Sequence, residues 1–193
     1  LETMAKQAIL LDMATGTVLF SKNADELMTP SSMSKIMTIY MLFESLKDGR
    51  LSLNDNFVVS EKAWRKQGSK MFVGVKSRVK VEDLIRGIIV QSGNDATIVV
   101  AEGMASSESA FAEQMNNKAA KLGMTNSHFV NASGWPDPEH ETTARDLARL
   151  AVATIKNFPE YYHYYAEKTF TYNGIKQFNR NPTIYRSIGA DGL

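Results

Sequence analysis

Pro30-Ser31-Ser32-Met33-Ser34-Lys35-Ile36-Met37-Thr38-Ile39-Tyr40-Met41-Leu42-Phe43-Glu44-Ser45-Leu46 anchors the placement of everything around it. Pro30 restricts the residue before it, and Ser31 or Ser32 is expected to cap a helix. From there Ile36, Met37, Ile39, Tyr40, Leu42, Phe43 and Leu46 recur at helical spacing. Asp48-Gly49 supplies a stop signal. The segment is apolar on most faces, so the helix is expected to be buried at the centre of the fold. Met33, Met37 and Met41 fall on its repeat and read as core filler.

Outward from this helix, Gln7–Met13 and Val18–Phe20 are apolar runs separated by Ala14-Thr15-Gly16-Thr17, a hairpin pattern. Residues 50–80 are rich in Lys, Ser and Gly and read as loops with short elements. Val81–Val90 is expected to be helical, Gln91-Ser92-Gly93-Asn94 to break it, and Asp95–Met104 to resume a helix. Ser107 should cap another that ends at Leu122-Gly123. Thr143-Ala144-Arg145-Asp146 resembles a capping box with Asp in place of Glu, opening a helix to about Lys156. Lys168–Tyr172 and Ile175–Phe178 flank Asn173-Gly174, a strong short hairpin signal. Strands at both ends and helices between them indicate the α+β class, with a helical block on an antiparallel sheet formed from distant N- and C-terminal segments. Neither repeat nor linker interrupts residues 1–193, so one domain is expected.

Composition narrows the function classes. With 22 Lys and Arg against 21 Asp and Glu, the formal charge is +1. That balance does not suggest a nucleic-acid or anionic-membrane partner. No window approaches the about eighteen consecutive apolar residues of a spanning helix. There is no cysteine, which excludes a disulfide framework and thiolate metal sites. His128, His140 and His163 lack metal-ligand spacing and are expected to be structural, with His140 bracing a loop under the site. No cofactor or metal is implied. The N-terminal Leu1-Glu2-Thr3-Met4 does not read as a signal peptide, which suits a mature exported protein and a cytosolic one alike.

Chemistry enters at Ser32 and Lys35. A serine hydroxyl is a poor nucleophile until a base takes its proton. Three residues apart at a helix start, the two side chains share a face. Lysine serves as that base only if burial or a neighbouring cation lowers its pKa from about 10.4. A lysine at a helix N-terminus is electrostatically unfavourable and so requires a reason. Ser92-Gly93-Asn94, some sixty residues on, lies on a tight turn between two apolar helices and would push a hydroxyl and an amide out of the helical block.

Ser-x-x-Lys followed by a Ser-x-Asn turn resembles the signature of penicillin-binding proteins and β-lactamases. The chain is similar to the serine-type D-alanyl-D-alanine carboxypeptidases, the low-molecular-mass penicillin-binding proteins. The likeness extends through Ala8-Ile9-Leu10-Leu11-Asp12 with Thr15-Gly16, through Ser92-Gly93-Asn94-Asp95-Ala96, and through Gly134-Trp135-Pro136-Asp137-Pro138 leading into Thr142-Thr143-Ala144-Arg145-Asp146-Leu147-Ala148. It continues in Tyr172-Asn173-Gly174 and Asn179-Arg180-Asn181. The resemblance implies a β-lactamase/transpeptidase-like fold in which Ser32 forms an acyl-enzyme, Lys35 accepts its proton, and Ser92 relays a proton to the departing D-alanine. Asn94 would bind the substrate's peptide amide, and the Ser32 N–H would be one oxyanion donor. The implied partners are the peptidoglycan stem peptide and β-lactam antibiotics. The implied location is the periplasm, with any membrane attachment through a C-terminal anchor that these residues do not contain.

One departure stands out. The family's third motif, Lys-Thr-Gly, is absent, and residues 189–193 read Gly189-Ala190-Asp191-Gly192-Leu193. This suggests a chain truncated just before that motif, lacking the C-terminal strands and a second cation near Lys35, and inactive or weakly active alone. A D,D-endopeptidase, a β-lactamase and a non-catalytic β-lactam-sensing or scaffold module are the competing readings. Asp137, Glu139 and Glu141, in the loop Asn131–Thr142, are candidates for a β-lactamase-type carboxylate base. The Tyr161, Tyr162, Tyr164 and Tyr165 cluster reads as packing rather than a glycan surface, and Arg65-Lys66 and Lys70 as a solvated face.

Overall fold

The computed structural model describes residues 2–193. In chain order the elements are β1 (Ala8–Leu11), β2 (Val18–Lys22), α1 (Lys35–Lys47), β3 (Asn56–Val58), α2 (Glu61–Arg65), β4 (Arg78–Lys80), α3 (Val81–Gln91) and α4 (Asn94–Ala105). Then follow α5 (Glu108–Lys121), α6 (Ala144–Asn157), β5 (Thr169–Tyr172), β6 (Ile175–Phe178) and α7 (Thr183–Arg186). Short 3-10 turns at Ser31–Ser34 and Tyr162–Ala166 complete the list.

The α1 helix is central, as its all-round apolar character requires. Met37, Leu42 and Phe43 are wholly buried, and α1 packs against α3, α4, α5 and α6. Phe43 stacks on Tyr161 at 5.4 Å and meets Phe158 edge-on at 5.9 Å, so the tyrosine cluster is core packing. Gly49 ends the helix with φ +70°, a conformation that costs glycine little. The Ser107 side chain caps α5 by accepting from Ala110 N at 3.1 Å. Thr143 caps α6 by accepting from Asp146 N at 3.1 Å. The capping box is only half formed, because the Asp146 carboxylate turns away to Asn126 N (2.9 Å) and Ser127 Oγ (2.8 Å).

Two expectations need correction. Neither Ser31 nor Ser32 caps α1: both lie in the 3-10 turn, which has no side-chain cap, and Ser31 is left-handed at φ +50°. The strands at the two ends also do not join. The described residues form three separate two-stranded antiparallel sheets, β1–β2, β3–β4 and β5–β6. Asn173 (φ +47°) and Gly174 (φ +75°) give β5–β6 a tight turn of its own, and this hairpin packs on α3. The α+β class stands, with sheet pairing local rather than between the chain's ends.

Candidate active site

Ser32 is exposed at the mouth of a cleft, while Lys35, one turn on, is 4% exposed. The Lys35 ammonium donates to Ser32 Oγ at 3.1 Å and to the carbonyl of Ser133 at 2.9 Å. Burial is the main force on this amine and lowers its pKa from 10.5 to about 8, with smaller contributions from the Arg180 and Lys66 charges. The second cation that the sequence reading found missing is therefore supplied from within the chain. Ser32 also sits in a first helical turn, where backbone N–H groups lack a partner in the turn.

The acceptor carbonyl is held by a cross-linked loop. Asn131 Oδ1 accepts from Gly134 N at 2.8 Å and Trp135 N at 3.1 Å, and Asn131 Nδ2 donates to Trp135 O at 2.9 Å. Thr38 donates to Ala132 O at 2.7 Å, which fastens the loop to α1. Gly134 (φ +80°) lies against the Ser31 carbonyl so closely that no Cβ fits there. His140 braces the same unit: Val130 N–H donates to its Nδ1 at 3.2 Å, so Nε2 carries the proton and donates to Ser34 Oγ at 2.7 Å.

Burial holds the His140 pKa below 6.5, opposed by the Asp137 charge and assisted by His128. A base with a lowered native pKa leaves the unfolded chain binding more protons, so stability falls as pH drops below the unfolded value. The melting temperature is therefore expected to fall between pH 7 and pH 5. His140→Gln, which keeps an acceptor and a donor, should flatten that part of a melting-temperature profile. An unchanged slope would remove His140 as its cause.

Ser92 ends α3 in the left-handed region at φ +59°, a strained position for a serine, and lines the cleft. Asn94 opens α4 and donates through Nδ2 to Gln67 O at 2.9 Å, leaving Oδ1 and one hydrogen uncommitted. Asp95, 1% exposed, accepts from the N–H groups of Met71, Phe72 and Val73 at 2.9, 2.9 and 3.1 Å, so it pins residues 71–73 beside the turn. The cleft measures about 440 Å³ and is lined by Ser32, Lys35, Ser92 and Arg180, with Tyr165 and Leu193 on its apolar side. Asn94 stands beyond it, on the Gln67 side.

This geometry coincides with a whole-chain match: a family model for D-alanyl-D-alanine carboxypeptidases covers residues 1–193. The chain belongs to the D-alanyl-D-alanine carboxypeptidase family. It is 41% identical over 196 residues to D-alanyl-D-alanine carboxypeptidase DacC of Escherichia coli, covering 98% of this chain and 49% of that protein. The crystal structure of penicillin binding protein 5 from Haemophilus influenzae superposes with a TM-score of 0.93 at 37% identity, covering 96% of this chain and 55% of that one. Penicillin-binding protein D2 of Listeria monocytogenes, solved in its ampicillin-bound form, gives 0.88 at 28% identity, over 100% of this chain and 79% of that one. The chain spans about half the length of the curated relatives it matches.

Within this carboxypeptidase-family chain the four sequence candidates separate into two groups. Ser32, Lys35 and Ser92 share the cleft, and Asn94 flanks it. Asp137, Glu139 and Glu141 do not line it. Lys66 is not part of a solvated face: it is half-buried, its pKa is lowered chiefly by that burial, and its ammonium lies 4.1 Å from the Trp135 ring centroid. Arg180 and Ser133 were missed as site residues. Arg180 follows β6 and is placed by its N–H to Val90 O (3.2 Å) and a guanidinium hydrogen bond to Ser69. The Asn179-Arg180-Asn181 triplet after a strong hairpin signal was the only sequence cue to it.

Proposed function

We propose that this chain carries the acylation site of a serine D,D-carboxypeptidase that removes the terminal D-alanine from peptidoglycan pentapeptide stems and is acylated by β-lactams. The observation that carries the reading is Lys35, a buried amine at 3.1 Å from Ser32 Oγ with its pKa lowered to about 8. Such an amine gives up its proton near neutral pH and can then accept one from the serine.

The proposed step uses these positions. Ser32 Oγ forms a bond to the carbonyl carbon of the penultimate D-alanine while its proton passes to Lys35. The tetrahedral oxyanion receives a hydrogen bond from the Ser32 N–H, an interaction worth roughly 3–4 kcal/mol in other enzymes. Its collapse breaks the C–N bond, and Ser92 passes a proton from Lys35 to the departing D-alanine amine. Asn94 holds the donor's peptide amide. Water then releases the shortened stem from Ser32. Because the stem peptide lies outside the inner membrane, a periplasmic location follows from the substrate. Among the described residues no helix is long and apolar enough to cross a membrane.

The test is intact-mass analysis of the full-length protein after benzylpenicillin treatment, beside Ser32→Ala. A one-to-one adduct on the parent, absent from the variant, is expected, with an acylation rate that rises through about pH 8 as Lys35 becomes neutral. An adduct surviving in Ser32→Ala would overturn the assignment. An adduct lost within seconds would favour a β-lactamase, and no adduct a non-catalytic module.

A further inference from the structure

We propose that Lys66, seated on the Trp135 indole beside Asn94, is a specificity-determining contact for a side-chain carboxylate on the donor residue preceding the terminal D-alanyl pair. This rests on the carboxypeptidase reading above and extends the site beyond the reacting bond.

The three residues form one edge. Lys66 leaves α2 in an extended conformation (ψ 132°) and its ammonium lies 4.1 Å from the Trp135 centroid, well within cation–π range. The next residue, Gln67, accepts the Asn94 amide hydrogen at 2.9 Å. A Cβ on Gly68 would lie 2.5 Å from Asn94 Nδ2 and 3.3 Å from Trp135 Cζ3, so the carboxamide and the indole converge on one glycine. A peptide amide bound by Asn94 would therefore lie next to the Trp135 ring, which is 42% exposed.

Charge supplies the selectivity. Lys62 pairs with Glu108 at 3.7 Å and Arg65 with Glu61 at 2.5 Å. Among the described residues Lys66 has no carboxylate at ion-pair distance, although it is half-buried. Arg180, which lines the cleft, is likewise without a carboxylate partner among these residues and bonds Ser69. A partly dehydrated ammonium held on one side by an aromatic face presents its remaining N–H groups outward. A donor side chain ending in a carboxylate satisfies them, while one ending only in an ammonium is repelled. Burial lowers the Lys66 pKa and the Lys62 charge adds to this, while the Glu108 charge opposes it without closing an ion pair, so the ammonium is only partly compensated.

The test separates charge from packing. Two soluble stem pentapeptides ending in D-Ala-D-Ala, differing only in meso-diaminopimelate or lysine at the third residue, are titrated against the full-length Ser32→Ala protein by calorimetry. The diaminopimelate peptide should bind roughly two- to fivefold more tightly, the range of a partly exposed ion pair. Adding Lys66→Met, which keeps an apolar stem over Trp135, should bring the ratio to about one, and Lys66→Arg should retain it. Because Lys66→Met changes the environment of Lys35 for both peptides alike, the ratio isolates the contact. A ratio unchanged by Lys66→Met, a ratio near one in the parent, or binding of neither peptide overturns the proposal. Benzylpenicillin acylation of otherwise unmodified protein tells the two failures apart. If Ser32 is acylated and the ratio is insensitive to Lys66, only the Lys66 contact is lost; if Ser32 is never acylated, the carboxypeptidase reading falls.

Discussion

Lys35→Met is expected to make the protein more stable at pH 7 while reducing penicillin acylation by about 10²–10⁴-fold, the usual contribution of a positioned base. The stability half follows from the same burial that makes Lys35 useful. A native pKa lowered from 10.5 to about 8 means that holding the charged amine in the fold at neutral pH costs about 3 kcal/mol. Methionine removes that cost and fills similar volume, but gives up the hydrogen bonds to Ser32 and Ser133, each worth about 1 kcal/mol. The balance is a gain of about 1–2 kcal/mol, or roughly 2–8 °C in melting temperature for a chain of this size. The sign with pH is fixed. In the parent the cost is fully present below about pH 8 and is relieved as pH rises from there towards 10.5, because the unfolded chain binds the extra proton across that window. The stability gap between variant and parent should thus be widest at pH 7 and smaller at pH 10. Denaturation at both values checks it, and a variant less stable than the parent at pH 7 would refute the claim that Lys35 is held at a cost to the fold.

What was legible in the chain was what neighbours in sequence decide. The α1 helix announced itself by apolar spacing, the β5–β6 hairpin by Asn173-Gly174, and the α5 and α6 starts by Ser107 and Thr143. Ser32, Lys35, Ser92 and Asn94 were legible because two short motifs mark them. What stayed hidden was set by distant partners. Ser31 is left-handed rather than capping because the turn is held against Gly134, about a hundred residues away. Lys66 reads as surface charge until Trp135 is brought under it. Arg180 becomes a neighbour of Lys35 only when β5–β6 packs on α3. Strand pairing was hidden for the same reason: the described strands pair only within their own two-stranded sheets, and alternating apolar residues reveal a strand but not its pairing partner.

The Ser31–Gly134 contact also yields a sharp expectation: Gly134→Ala should cost at least 3 kcal/mol and lower acylation by a hundredfold or more. Two penalties combine. A residue with a Cβ at φ +80° pays for the left-handed conformation, about 1–2 kcal/mol. The Cβ is also directed into the Ser31 carbonyl, which is backbone and cannot turn aside as a flexible side chain would. Relief requires the loop or the 3-10 turn to shift, and that moves Ser133 O and Ser32 Oγ, the two acceptors of Lys35, relative to each other. Misplacement of reacting groups by about 1 Å is enough for a hundredfold loss. Gly16→Ala separates the two penalties, since Gly16 has a similar φ of +73° with nothing within 4 Å of its Cβ position. It should show only the conformational cost and acylate normally. Equal melting shifts for the two variants, with acylation intact in both, would mean that the loop and the nucleophile turn move independently. The unequal outcome is expected because Lys35, Thr38 and the Ser34–His140 pair fasten that loop to α1 and its turn, leaving Gly134 no room to yield.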